Sequence, residues 1–70
     1  MIDEKITQLE VLEAPYGKQI VLQDVHYENG MSVLRVRIRE GNRFTIVDLD
    51  KNTASQLTTV LGNWSKGATE

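Results

Sequence analysis

The stretch Leu34-Arg35-Val36-Arg37-Ile38-Arg39 alternates apolar and basic residues without a break. A period of two is that of a β-strand, whose successive side chains point to opposite sides of the sheet. Leu34, Val36 and Ile38 therefore share one face, and Arg35, Arg37 and Arg39 share the other. Every other element of the chain can be placed relative to this strand.

Gly41-Asn42 follows directly and suits a two-residue hairpin turn, with Arg43 to Leu49 as the next strand. That turn pairs Ile38 with Thr45, Val36 with Val47, Leu34 with Leu49 and Arg35 with Asp48. Upstream, Asn29-Gly30 predicts a type I′ turn, whose two central residues need positive φ. With two loop residues it sets Val25 opposite Leu34, Asp24 opposite Arg35, Leu22 opposite Arg37 and Ile20 opposite Arg39. Ala14-Pro15-Tyr16-Gly17 predicts a three-residue loop between strands over 6–13 and 18–28, with Val11 beside Val21 and Leu12 beside Ile20.

After Asp50 the period changes. Leu57, Val60, Leu61 and Trp64 fall at i, i+3, i+4 and i+7, one stripe of an α-helix. Thr53 with Gln56 reads as a capping box, with Asp50 or Asn52 as alternative N-caps and Gly67 as the stop. The expected fold is α+β: a four-stranded antiparallel meander with one C-terminal helix packed on one face. Residues 1–70 form a single domain, with 1–4 frayed and 67–70 a tail.

This register predicts two unlike faces. Leu9, Val11, Val21, Val25, Tyr27, Leu34, Val36, Ile38, Val47 and Leu49 would meet the helix. The other face would gather Leu12, Ile20, Leu22, Val33, Phe44 and Ile46 around Arg35, Arg37 and Arg39, with a charge ladder Asp24–Arg35–Asp48. Arginine and aromatic residues mixed with aliphatic ones mark an interface more often than a solvated surface. The candidate interface or ligand face is therefore Ile20, Leu22, Asp24, Arg35, Arg37, Arg39, Phe44, Ile46 and Asp48.

Composition excludes much chemistry. There is no cysteine for a disulfide, thiolate nucleophile or thiolate metal site, and His26 is the one histidine. His26 beside Asp24 could be imagined as an acid–base pair, but a half-exposed strand histidine is the simpler reading. Asp48 and Asp50 lack the further loop acids of a calcium site. No Walker loop, dinucleotide fingerprint or nucleophile elbow occurs. No catalytic residue, cofactor or metal is expected, and an enzyme is not. The start Met1-Ile2-Asp3-Glu4-Lys5 lacks an apolar signal core, and no run approaches a membrane span, so the cytoplasm is the expected compartment. A net charge of −2 argues against broad attraction to polyanions.

The stretch Val36-Arg37-Ile38-Arg39-Glu40-Gly41-Asn42-Arg43-Phe44-Thr45-Ile46-Val47-Asp48-Leu49-Asp50, followed by a helix that ends near a tryptophan, resembles a group of short bacterial proteins of unknown function. The likeness extends back to Val21-Leu22-Gln23-Asp24-Val25, covers most of the chain and implies no activity. The layout of four strands and one helix also resembles the PC4-type coactivators. That resemblance implies a dimer that binds single-stranded DNA on its sheet, with the strand of Arg35, Arg37 and Arg39 in the binding position. Only Phe44 is aromatic on the basic face, and the lysine-rich segments of that family are missing. The expectation is a small non-enzymatic module that self-associates as a homodimer, with a protein partner open. The alternative is a single-stranded nucleic-acid binder using the arginine face.

Overall fold

The computed structural model describes residues 4–67. Four strands form one antiparallel sheet in the order β1-β2-β3-β4: β1 (Glu4–Ala14), β2 (Lys18–Tyr27), β3 (Ser32–Glu40) and β4 (Arg43–Leu49). A single helix, α1 (Lys51–Ser65), follows. The α+β meander expected from the alternation of residues 34–39 is the observed fold. Glu4 is the first residue of β1; residues 1–3 and 68–70, the rest of the expected frayed start and tail, lie outside the described residues.

Two of the three turns set the expected register. Gly41 takes φ 60 while Asn42 stays at negative φ, the signature of a type II′ hairpin, and β3 pairs with β4 without a break from Glu40–Arg43 to Leu34–Leu49. The loop Pro15–Gly17 places Ala14 opposite Lys18 and Val11 opposite Val21. Its tightness forces Tyr16 to φ 65, a left-handed conformation that costs a non-glycine residue. Further along β1 the pairing with β2 slips between Gln8 and Glu10, so Leu9 sits in a bulge.

The turn after Tyr27 differs from expectation, and the difference reverses β2. The Gly30 N–H donates to Tyr27 O at 3.0 Å, and the Tyr27 N–H donates to Met31 O at 2.8 Å. Asn29 is not at positive φ, whereas Gly30 is at 92°. This is a three-residue loop, Glu28-Asn29-Gly30, built on a type I turn with glycine in the left-handed position. The Asn29 side chain reinforces it by accepting from the Met31 N–H at 3.0 Å. One extra loop residue shifts the register by one, and a one-residue shift turns every side chain to the other face. Val25 lies opposite Val33, Leu22 opposite Val36, and Ile20 opposite Ile38.

The faces are corrected accordingly. Leu12, Ile20, Leu22, Leu34, Val36 and Leu49 line the helix side. Val11, Val21, Val25 and Tyr27, expected under the helix, stand on the arginine side with Arg35, Arg37 and Arg39. The β3 and β4 residues stay where the alternation puts them.

Helix α1 is capped by Asp50, whose Oδ1 accepts from the Thr53 N–H at 2.7 Å, so Thr53 is the third helical residue and not the cap. Gly67 at φ 73 ends it, its N–H donating to Trp64 O at 3.0 Å. The cap bond holds the Asp50 carboxyl below the ordinary aspartate range. A lowered folded-state value means the capping contribution is present above the usual aspartate pKa and is lost as pH falls through the lowered one. Asp50→Ala is expected to lower helical ellipticity and melting temperature, whereas Asp50→Asn should keep the cap and lose the acid-range dependence. Far-UV circular dichroism against pH checks both.

Candidate functional site

Arg35 organises the arginine face. Its Nε donates to Asp48 Oδ1 at 2.9 Å and its terminal nitrogen to Asp48 Oδ2 at 3.2 Å, a bidentate pair across β3 and β4. On the other side the same guanidinium lies 3.8 Å from Glu4 on β1. The Glu4–Arg35–Asp48 link spans β1 to β4, and on the same face of β2 Val25 is fully buried, at 0% exposure. The hydrogen bond with Asp48 raises the Arg35 pKa and lowers that of Asp48. Exposed ion pairs of this kind contribute about 0–1 kcal/mol, so the larger effect is the fixing of strand register.

Arg37 lies over the Phe44 ring, its guanidinium carbon 4.2 Å from the centroid. Arg39 donates from Nε to Gly41 O at 3.2 Å. Among the described residues neither Arg37 nor Arg39 has a carboxylate within salt-bridge distance. Phe44 and Ile46 on β4 are about half exposed beside them.

Six of the nine expected site residues therefore share one face: Arg35, Arg37, Arg39, Phe44, Ile46 and Asp48. Ile20, Leu22 and Asp24 do not join them, because the longer loop turns them toward the helix. The ladder Asp24–Arg35–Asp48 is replaced by Glu4–Arg35–Asp48. Asp24 stands opposite Leu34 and lines a shallow recess with Ser32, Leu49, Asp50 and Ala54. His26 Nδ1 lies 2.8 Å from Ser32 Oγ on an exposed stretch of sheet. No group of three metal-ligating side chains converges among the described residues.

The helix side holds a feature that pattern reading misses. An apolar groove of about 320 Å³ runs between sheet and helix, lined by Leu12, Ile20, Leu22, Val36, Leu57 and Leu61 among others. The helix stripe barely covers it. Ala54 at the start is half-buried, but Leu57 is 42% exposed, Leu61 57%, Val60 63% and Trp64 72%. Ala54, Leu57, Thr58 and Leu61 face the groove, whereas Val60 and Trp64, the more exposed pair, do not line it.

A family model described as a family of unknown function (DUF6967) matches residues 3–67. The chain belongs to the DUF6967 family. No curated protein and no solved structure matches it. The resemblance to short proteins of unknown function is thus the one that holds, and the likeness to PC4-type coactivators finds no support. Membership of DUF6967 brings no activity, so function must be read from the two surfaces. Among the described residues no helix is long and apolar enough to cross a membrane.

Proposed function

We propose that this DUF6967 protein is a small, cytoplasmic, non-enzymatic accessory module that works as a two-fold homodimer. The observation that supports this is the unfinished helix side, where Leu57 and Leu61 line an open apolar groove and remain exposed, with Val60 and Trp64 exposed on the helix beside them. Within the described residues Val25 alone is a buried hydrophobic residue. The chain exposes 5817 Å², whereas a compact monomer of 7.9 kDa exposes roughly 4,400 Å². Its radius of gyration of 14.1 Å likewise exceeds the roughly 11 Å of a compact domain of this length. Small domains with too little core commonly gain stability by association.

A second copy finds apolar surface on the helix side and along the β4 edge. Val47, Leu57, Val60, Leu61 and Trp64 are exposed on and around α1, and Phe44 and Ile46, on the opposite face, are about half exposed along β4. The contact assigned here lies on the helix side and the β4 margin, not on the arginine face as a whole. Ile20 and Leu22 take part only through the groove.

Trp64 is the one tryptophan and reports on this contact directly. Its emission maximum is expected to move to shorter wavelength as concentration rises, because association removes the indole from water. An emission maximum that stays at the solvent-exposed position from micromolar to millimolar protein would contradict the reading.

A further inference from the structure

Both margins of the sheet are open among the described residues, and they differ in kind. The β1 margin carries Glu4, Lys5, Glu10 and Glu13 and a bulge at Leu9, the devices by which natural sheets discourage pairing with another strand. The β4 margin has none of them between Arg43 and Asp48. Phe44-Thr45-Ile46-Val47 is uncharged, lacks proline and glycine, and pairs with β3 without a bulge. Phe44, Ile46 and Val47 are about half exposed. Such an edge is a template for another strand.

We infer that β4 pairs antiparallel with β4 of a second copy about a two-fold axis at Ile46, joining the two sheets into one of eight strands. This rests on the homodimer reading and specifies its geometry.

The hairpin dictates which backbone groups are free. Residues flanking a two-residue turn, here Glu40 and Arg43, exchange hydrogen bonds, and such pairs alternate along the ladder. Arg43, Thr45, Val47 and Leu49 therefore turn their N–H and C=O groups to β3. Phe44, Ile46 and Asp48 turn theirs outward. An axis at Ile46 sets Ile46 opposite its counterpart and Phe44 opposite Asp48 of the second copy. All three outward residues then donate and accept across the join, and no other axis position uses all of them.

Side chains agree with that register. Arg37 sits over the Phe44 ring and has no carboxylate within salt-bridge distance among the described residues. Asp48 of the second copy, held by its own Arg35, would stand opposite that ring, so the Arg37–Phe44 pair of one copy faces the Arg35–Asp48 pair of the other across the join. Ile46 would meet Ile46, a favourable cross-strand pair. Because α1 packs on β3 and β4, the axis also brings the two helices to one face of the joined sheet, on either side of the seam. The β4 seam is thus continuous with the exposed helix stripe.

The test is amide hydrogen exchange by NMR on the full chain at millimolar concentration, read beside its mass by light scattering. The outward amides of Phe44, Ile46 and Asp48 should exchange about 100-fold or more slowly than in dilute monomer. A dimer in which these three exchange as freely as loop amides overturns the β4 seam while leaving self-association intact. A monomeric protein overturns both. Ile46→Pro provides a second arm, since it removes an outward N–H and no β3–β4 bond. That variant should drop to the single-chain mass; if it remains a dimer, the seam lies elsewhere. If it fails to fold, the exchange measurement on the unaltered chain decides.

Discussion

Val25→Asp is expected to leave the chain unfolded. Val25 is fully buried on the arginine face, between Ile6 on β1 and Val33 on β3. Losing a buried valine forfeits about 1.5–3 kcal/mol of apolar burial. Placing a carboxylate there adds several kcal/mol unless it takes up a proton or captures Arg35. A chain of this length has roughly 4–10 kcal/mol of stability in total, so the two losses together consume most or all of it. Collapse of amide dispersion in a proton–nitrogen correlation spectrum is the expected readout. A well-dispersed Val25→Asp spectrum would mean that position 25 is not part of the core.

Val60→Glu is expected to separate the dimer without harming the protomer. Val60 is 63% exposed on α1, and glutamate is a better helix former than valine, so the helix itself should gain slightly. In the dimer each copy would bury an unpaired carboxylate in place of an aliphatic group. At about 1.5–3 kcal/mol per copy, counted twice, dissociation should strengthen by roughly 10²–10⁴-fold. Sedimentation of the variant beside the unaltered chain measures this. An unchanged dissociation constant with Val60→Glu would remove α1 from the interface.

Much of this structure is legible in the residues, and the part that is not has one physical cause. The alternation of 34–39 and the glycine at 41 determine β3, β4 and their register, because a two-residue turn leaves no choice of partner. The dipeptide Asn29-Gly30 serves two hairpins that differ by one loop residue, and only φ at Asn29 separates them. Nothing in β2 vetoes the shorter loop. Ile20, Val21 and Leu22 are consecutive and apolar, so either face can be the inner one. The attraction of Asp24 for Arg35 even favours the wrong register. The carboxylate that Arg35 finds instead, Glu4, lies near the start of the chain, where local pattern is weakest. The open groove depends on how α1 is seated on the sheet, which periodicity does not encode.

Both surfaces have the same origin in composition. A sheet with aliphatic groups on two faces and one short helix has more apolar area than a single copy can enclose. The Glu4–Arg35–Asp48 link crosses one face, and the other is left to α1, which reaches only part of it.

Light scattering across a concentration series tests most directly whether a second copy completes this fold. A mass of twice 7.9 kDa at high concentration, with a melting temperature that climbs as protein is added, is the expected result. A mass of 7.9 kDa throughout, with a melting temperature independent of concentration, would contradict it.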